Sequence, residues 1–137
     1  MMAAIKWDDG LSLGIPAIDE DHKKLIGYYN DLLAACFASV GPSVINRTLS
    51  KLIDYTHEHF SREEQLMSGM HYPDYLAHCA EHAALLLSVS DLKKNASSNL
   101  DHEISNDTLV FLRSWFIDHV LGSDLALAKF LQRGAPR

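Results

Sequence analysis

The sequence has few cysteines, no basic stretch and no long apolar run. Only Cys36 and Cys79 occur among 137 residues, and neither belongs to a C-x-x-C pair, so we expect two buried free thiols and no disulfide framework. The net charge is -6 and no run of Lys or Arg exceeds two residues, which argues against nucleic acid as a partner. No apolar stretch approaches the roughly 20 residues that cross a bilayer, so no membrane span is predicted.

Length and the N-terminal composition set two further expectations. Residues 1–9 carry one lysine and lack the apolar core of a signal peptide, which predicts a cytoplasmic protein. A chain of 137 residues is of the usual size for one domain and can bury about two thirds of the surface that its unfolded form exposes. We therefore predict a single domain over residues 1–137.

Four amphipathic segments, separated by short stretches rich in helix breakers, predict an all-α protein. The predicted helices span residues 19–39, 43–68, 73–96 and about 108–121. Asp19 is the expected N-cap of the first helix, Gly41 and Pro42 its end, and Gly122 the end of the fourth. The short connections favour an antiparallel up-down-up-down four-helix bundle, with its core over about residues 19–121.

Two segments flank the predicted bundle. The N-terminal arm, residues 3–15, carries Trp7, Leu11 and Leu13, and we expect it to lie against the bundle surface. A short apolar helix is predicted over residues 125–131, with a frayed tail after it.

Histidines and carboxylates at short spacings are the most informative feature of the sequence. The set comprises His59 with Glu63, His78 with His82, His119 with Asp124, and His22 alone. Residues four apart on a helix lie one above the other, with Cβ atoms about 6 Å apart, so the first two pairs each direct two metal-binding groups at one point. Five imidazoles and two carboxylates are too many for one zinc ion but suit two metal ions bridged by carboxylates.

The spacing of the last pair requires a change in the helix. Residues five apart on an unbroken α-helix are about 140° out of register, so His119 and Asp124 could not share a metal there. A turn at Gly122 and Ser123 is predicted to bring Asp124 back.

All of these pairs fall on the apolar side of their predicted helices, where an ionisable group is costly unless it is paired or bound to a cation. The other histidines serve as a control. His57 lies about 200° around the helix from His59, His71 falls in a breaker segment, and His102 is near the start of the fourth helix. None of these three is expected to bind metal.

Four longer segments contain the candidate ligands. They read G-I-P-A-I-D-E-D-H-K-K-L at 14–25, D-Y-T-H-E-H-F-S-R-E-E-Q-L-M at 54–67, Y-P-D-Y-L-A-H-C-A-E-H at 72–82, and W-F-I-D-H-V-L-G-S-D at 115–124. These segments resemble the hemerythrin family, and in particular the single-domain bacteriohemerythrins. The resemblance covers nearly the whole chain.

The resemblance implies a non-haem diiron centre, bridged by an oxide or hydroxide. It implies that His78, His82 and His119 hold one iron, that His22 and His59 hold the other, and that Glu63 and Asp124 bridge them. O2 would bind reversibly as a peroxide at the iron with an open position, for carriage, storage or delivery and not for enzymatic turnover. The expected partners are O2 and an oxygen-using client protein, and we expect a monomer. Trp115 and Phe116 are expected to line the O2 pocket.

Three alternatives stay open. A diiron oxidase or peroxidase of the ferritin-like class is recognised by E-x-x-H pairs, which this sequence lacks. A zinc peptidase could use the H-x-x-E-H pattern of His78, Glu81 and His82, although Glu81 is expected to point away from the metal in a four-helix bundle. An O2 or redox sensor would have to signal through a partner protein.

Overall fold

The computed structural model describes residues 4–38, 41–98 and 106–134, which contain helices and turns and no strand. The helices are α1 at Pro16–Phe37, α2 at Pro42–Gly69, α3 at Tyr75–Ser98, α4 at Asn106–His119 and α5 at Leu125–Gly134. A 3-10 turn at Asp9–Leu11 precedes α1, and a π-helical turn at Val120–Asp124 joins α4 to α5. Helices α1 to α4 form the predicted antiparallel bundle, and α5 is the additional C-terminal helix.

The first helix begins earlier than predicted. Pro16 occupies its first turn, where the fixed backbone angle of proline suits the helix and its missing N–H is not needed. Asp19 is therefore not the N-cap, a position held by Ile15 without a side-chain capping bond. The Asp19 carboxylate instead accepts hydrogen bonds from the Ser12 hydroxyl at 2.6 Å and the Leu13 N–H at 2.9 Å, which fastens the N-terminal arm to α1.

Two prolines take positions other than those expected. Pro42 opens α2 instead of ending α1, and Gly41 before it has a φ of 102°, which favours glycine. Pro73 lies in the turn before α3, which starts at Tyr75. The remaining ends of α2 and α3 agree with the prediction to within about two residues.

The N-terminal arm lies against the bundle over its described residues, as predicted. Ile5, Leu11 and Leu13 are buried. Asn30 of α1 holds the arm with two hydrogen bonds, accepting from the Ile5 N–H and donating to the Ile5 carbonyl, each at 2.9 Å.

The end of α4 differs most from the prediction. Gly122 does not close the helix, because the Leu125 N–H bonds to the Val120 carbonyl, five residues back, and the chain continues into α5. A turn closed by such a bond contains one residue more than an α-helical turn. The C-terminal helix also extends beyond residue 131 to Gly134.

The core occupies the space between the four helices, with Leu32, Leu49 and Leu109 fully buried. Near the end of α2, Met67 is fully buried whereas Leu66 beside it is 37% exposed. Cys36 and Cys79 are not joined by a disulfide, and each is half-buried where full burial was expected. None of the described helices is long and apolar enough to cross a membrane.

Candidate metal centre

All seven candidate ligands converge at one place in the core. The contributions are His22 from α1, His59 and Glu63 from α2, His78 and His82 from α3, His119 from α4, and Asp124 from the π-helical turn. Each of these residues is at most 5% exposed. Ionisable groups reach such burial only when they are paired or bound to a cation.

Glu63 and Asp124 each divide their two oxygens between opposite sides of this cluster. Glu63 Oε1 lies 2.7 Å from His78 Nε2 and 3.2 Å from His82 Nε2, whereas Oε2 lies 3.0 Å from His59 Nε2. In the same way, Asp124 Oδ1 faces His78 and His119 while Oδ2 faces His22. We call these the three-histidine side (His78, His82, His119) and the two-histidine side (His22, His59).

The distances between donor atoms fit metal ions. Neighbouring ligands of a six-coordinate ion with bonds of about 2.1 Å are about 3.0 Å apart. The imidazole-to-carboxylate distances within the cluster lie between 2.7 and 3.2 Å. Imidazoles mixed with carboxylates suit iron, zinc or copper better than calcium or magnesium, which prefer oxygen alone. The cluster can therefore hold two transition-metal ions.

The π-helical turn brings Asp124 into the cluster. In an α-helix Asp124 would lie about 140° from His119 around the axis. The additional residue in the turn rotates Asp124 back while the chain remains helical. Asp124 thus joins the cluster as expected, but the predicted mechanism, a break of the helix at Gly122 and Ser123, was wrong.

Three carboxylates outside the cluster, which sequence reasoning missed, hold histidines of the next helix. Their contacts to Nδ1 atoms are Asp21 to His59 at 2.9 Å, Glu64 to His82 at 2.8 Å, and Glu81 to His119 at 2.9 Å. We call them the outer carboxylates. Each directly precedes or follows a cluster residue of its own helix and so points about 100° away from it, toward the neighbouring helix. This adjacency is the sequence signal that could have found them.

The outer carboxylates determine which ring nitrogen carries a proton. An ionised carboxylate only accepts hydrogen bonds, so Nδ1 of its histidine must donate, and Nε2 of the neutral ring then presents a lone pair to the cluster. Glu81, the glutamate of the H-x-x-E-H pattern, points away from the cluster interior, as expected in a four-helix bundle. Its contact with His119 was not predicted. Nδ1 of His22 and Nδ1 of His78 are buried and have no such partner among the described residues.

Asp21 is the most firmly held of the outer carboxylates. It accepts two hydrogen bonds from Arg62, at 2.8 and 3.0 Å, and one from the Tyr55 hydroxyl at 2.7 Å. Partial burial alone would raise the pKa of Asp21, but the bonds from Arg62, His59 and Tyr55 hold that pKa well below its usual range. Asp21 is therefore an anion at neutral pH, and it keeps the His59 ring oriented.

Unless a metal is bound, the cluster residues stabilise one another's charged forms. Burial lowers the pKa of His78, but Asp124 and Glu63 beside it outweigh burial and raise that pKa to about 9. Burial and the charge of Asp124 raise the pKa of Glu63, yet hydrogen bonds from His59, His78 and His82 lower it to about 2. Protons therefore compete with metal ions for the same nitrogen atoms.

Aromatic rings pack directly on the imidazoles. Trp115 stacks on His119 with ring centroids 4.5 Å apart, and Phe116 meets the His22 ring edge-on at 5.7 Å. Phe60, which sequence reasoning missed, stacks on His82 at 3.7 Å. No spacing pattern distinguishes Phe60 from an ordinary core residue.

A cavity of about 50 Å³ adjoins the two-histidine side of the cluster. Its wall includes both histidines of that side, His22 and His59, and also Asp124 and His119 of the three-histidine side. The two aromatic residues expected to line an O2 pocket, Trp115 and Phe116, belong to the same wall. A water molecule needs about 10–15 Å³ by this measure, so the cavity accommodates a small diatomic molecule.

The structure describes two of the three control histidines. His57 and His71 are exposed and lie outside the cluster. His102 lies outside the described residues.

Fold and site together define a helical-bundle protein with a buried site for two metal ions. The chain belongs to the hemerythrin family, since residues 13–131 match the model of the hemerythrin HHE cation binding domain. It is 32% identical to a bacteriohemerythrin of Stenotrophomonas maltophilia over 127 residues, covering 93% of this chain and 81% of the relative.

Two further comparisons agree with this assignment. Identity to a bacteriohemerythrin of Methylococcus capsulatus is 34% over 122 residues, covering 87% of this chain and 90% of the relative. A crystal structure of wild-type hemerythrin is similar with a TM-score of 0.86 at 30% identity, over 93% of this chain and 97% of that one. The resemblance inferred from the sequence motifs is confirmed.

Proposed function

We propose that this protein is a non-haem diiron protein that binds O2 reversibly, for carriage, storage or delivery and not for catalysis. The supporting observation is the unequal division of the cluster between its two sides. Glu63 and Asp124 belong to both sides, so the three-histidine side offers five ligands and the two-histidine side offers four. The two-histidine side therefore keeps a coordination position open for a small molecule, and the cavity lies next to it.

The cluster residues fit two iron ions. His78, His82 and His119 would hold one ion, His22 and His59 the other, and Glu63 and Asp124 both. A pair of ferrous ions supplies the two electrons that O2 takes up on binding and returns on leaving, which redox-inert zinc cannot do. Membership of the hemerythrin family supports iron as the metal.

The protein's own contribution to reversibility is to exclude water and proton donors. Apart from the cluster residues, the cavity wall is apolar except for the hydroxyls of Thr56 and Tyr29 and the indole N–H of Trp115. Thr56 donates to the Leu52 carbonyl at 2.7 Å and Tyr29 to the Leu109 carbonyl at 3.0 Å, so neither hydroxyl proton is directed into the cavity. A largely apolar wall whose hydroxyl protons are held by backbone carbonyls disfavours the release of reduced oxygen and so favours its return as O2.

The test is a cycle of oxygenation on iron-loaded, anaerobically reduced protein. We expect two iron ions per chain and visible charge-transfer bands that appear when O2 is admitted and fade when it is removed. A one-way oxidation with release of hydrogen peroxide would contradict reversible binding and favour an oxidase or a redox sensor. Failure of the full chain to retain two iron ions would contradict the diiron centre itself.

A further inference from the structure

Glu81 contacts both ends of the unusual turn that carries Asp124. Its Oε1 accepts from Nδ1 of His119, the last residue of α4, at 2.9 Å. Its Oε2 accepts from the hydroxyl of Ser123, within the π-helical turn, at 2.6 Å. One carboxylate of α3 thus spans the segment whose geometry differs most from an ordinary helix.

The π-helical turn needs such support. Its five-residue hydrogen bond, from the Leu125 N–H to the Val120 carbonyl, is rare in proteins, and such turns are concentrated at functional sites. Ordinary α-helical geometry would carry Asp124 out of the cluster. The space beside Gly122, at the middle of the turn, is open, since a Cβ added there would meet no side chain within 4 Å, so side-chain packing does not fix the turn at this position.

We propose that Glu81 and Ser123 form a clasp that maintains the π-helical turn and thereby positions Asp124 between the two sides of the cluster. The inference rests on the proposed function, in which Asp124 serves both metal ions. Glu81 is a positioning residue and not a ligand. It is 46% exposed and reaches the cluster only through the outer nitrogen of His119.

The chain contains a matched control for the clasp. Glu64 is also an outer carboxylate and lies 2.8 Å from Nδ1 of His82, but within the described part of the chain it forms no hydrogen bond to the π-helical turn. Substituting Glu64 therefore reports what an outer carboxylate does for its histidine alone. Substituting Ser123 opens the clasp while the contact between Glu81 and His119 is left in place.

The first experiment measures iron release from the full-length, iron-loaded protein to a competing chelator. We expect Ser123→Ala to speed release by roughly ten-fold, the equivalent of one lost hydrogen bond to a charged group, and to change the visible spectrum of the diferric centre. Ser123→Thr, which keeps the hydroxyl, should restore both properties. Parent-like release and spectrum in Ser123→Ala would overturn the proposal.

A double-mutant cycle separates the clasp from general support of the histidines. Ser123→Ala should add little to Glu81→Ala, because both break the same clasp, whereas its effect should multiply with that of Glu64→Ala. If the effects of Ser123→Ala and Glu81→Ala on the rate of iron release multiply fully, the proposal is overturned.

Hydrogen exchange at the Leu125 amide provides a readout that needs no metal. That N–H closes the π-helical turn, so Ser123→Ala should speed its exchange in the metal-free protein by roughly ten-fold, while Glu64→Gln should not. Unchanged exchange would refute the clasp even if the parent proves to hold no iron. If the parent protein binds no iron but exchange at Leu125 responds to Ser123→Ala as expected, the diiron function is refuted and the clasp is not.

Discussion

Nε2 of His82 faces Nε2 of His119 at 3.2 Å, while Glu64 and Glu81 hold the outer nitrogens of the two rings. Because the outer carboxylates keep a proton on each Nδ1, neutral rings would direct two lone pairs at each other. Either a proton between the rings or a metal ion bound by both relieves that repulsion. The cluster is therefore built to hold positive charge, and metal occupancy should affect the whole bundle.

Removing the metal should destabilise the fold. All four bundle helices contribute ligands, so binding energy contributes directly to folding energy. At an iron concentration one hundred times the dissociation constant, mass action alone stabilises the folded state by about 2.7 kcal/mol. We expect chelation to lower the unfolding temperature by several degrees and anaerobic ferrous iron to restore it, as measured by calorimetry. Equal unfolding temperatures for stripped and iron-loaded protein would contradict this.

Stripped and iron-loaded protein should differ in how their stability depends on pH. The pKa of His78 rises from 6.5 to about 9 on folding, so its contribution to stability is complete below pH 6.5 and is lost as the pH rises through 9. The pKa of Glu63 falls from 4.5 to about 2, so its contribution is complete above pH 4.5 and is lost as the pH falls through 2. Stripped protein should therefore be most stable between about pH 4.5 and 6.5.

Iron binding requires deprotonated imidazoles, so the stabilisation that iron adds should grow between pH 5 and 8. Denaturant unfolding of both forms across this range measures the difference. A stripped protein that gains stability from pH 6.5 to 9 would show that protons do not occupy the cluster as described.

Substitutions in the cluster should lower iron content according to which side they affect. Glu63→Ala removes a ligand from both sides and should leave almost no iron, and His119→Ala should weaken the three-histidine side. His22→Ala affects the two-histidine side alone and should retain about one ion per chain. Each should also destabilise the fold, because the remaining ligands stay buried without their cation. Metal analysis after gel filtration measures the iron content.

His57→Ala is the matched control for these substitutions. His57 is on the same helix as His59, two residues before it, but is exposed. This variant should retain two iron ions per chain. Equal iron in Glu63→Ala and in the parent would contradict the ligand assignment.

The cluster could be predicted because each pair follows from local spacing. His59 with Glu63, and His78 with His82, lie four apart on helices whose apolar stripe is evident in the sequence. Helix ends were predicted less accurately where a proline begins a helix, as at Pro16 and Pro42, because proline is also common just after the end of a helix.

Contacts between helices could not be derived from local spacing. The outer carboxylates are recognised only once the neighbouring helix is in place. Asp21, Glu64 and Glu81 each form a hydrogen bond with a histidine far away in sequence. The π-helical turn is a similar case. Its local sequence is compatible with a break of the helix at Gly122. In the structure the helix is continuous there, and Ser123 contacts Glu81 of another helix, which local spacing does not reveal.

A polar side chain at position 116 should shorten the life of the oxygenated protein. Phe116 packs edge-on against His22 and lines the cavity on the two-histidine side, so Phe116→Gln would bring an amide and its attendant water next to the open position. We expect the oxygenated form to convert to the diferric form several-fold faster. The decay of its visible bands at a fixed O2 concentration measures this rate. The same reasoning applies to Trp115, which stacks on His119 and lines the same cavity.

Two controls make this last measurement specific to the cavity wall. Phe111→Gln changes a ring on the same helix that is 46% exposed and absent from the cavity wall, so it should oxidise at the parent rate. Phe116→Leu reduces the size of the side chain but keeps the wall apolar, so it should remain closer to the parent than Phe116→Gln does. If Phe116→Gln loads two iron ions and still oxidises at the parent rate, water exclusion by this ring does not govern the lifetime of the oxygenated form.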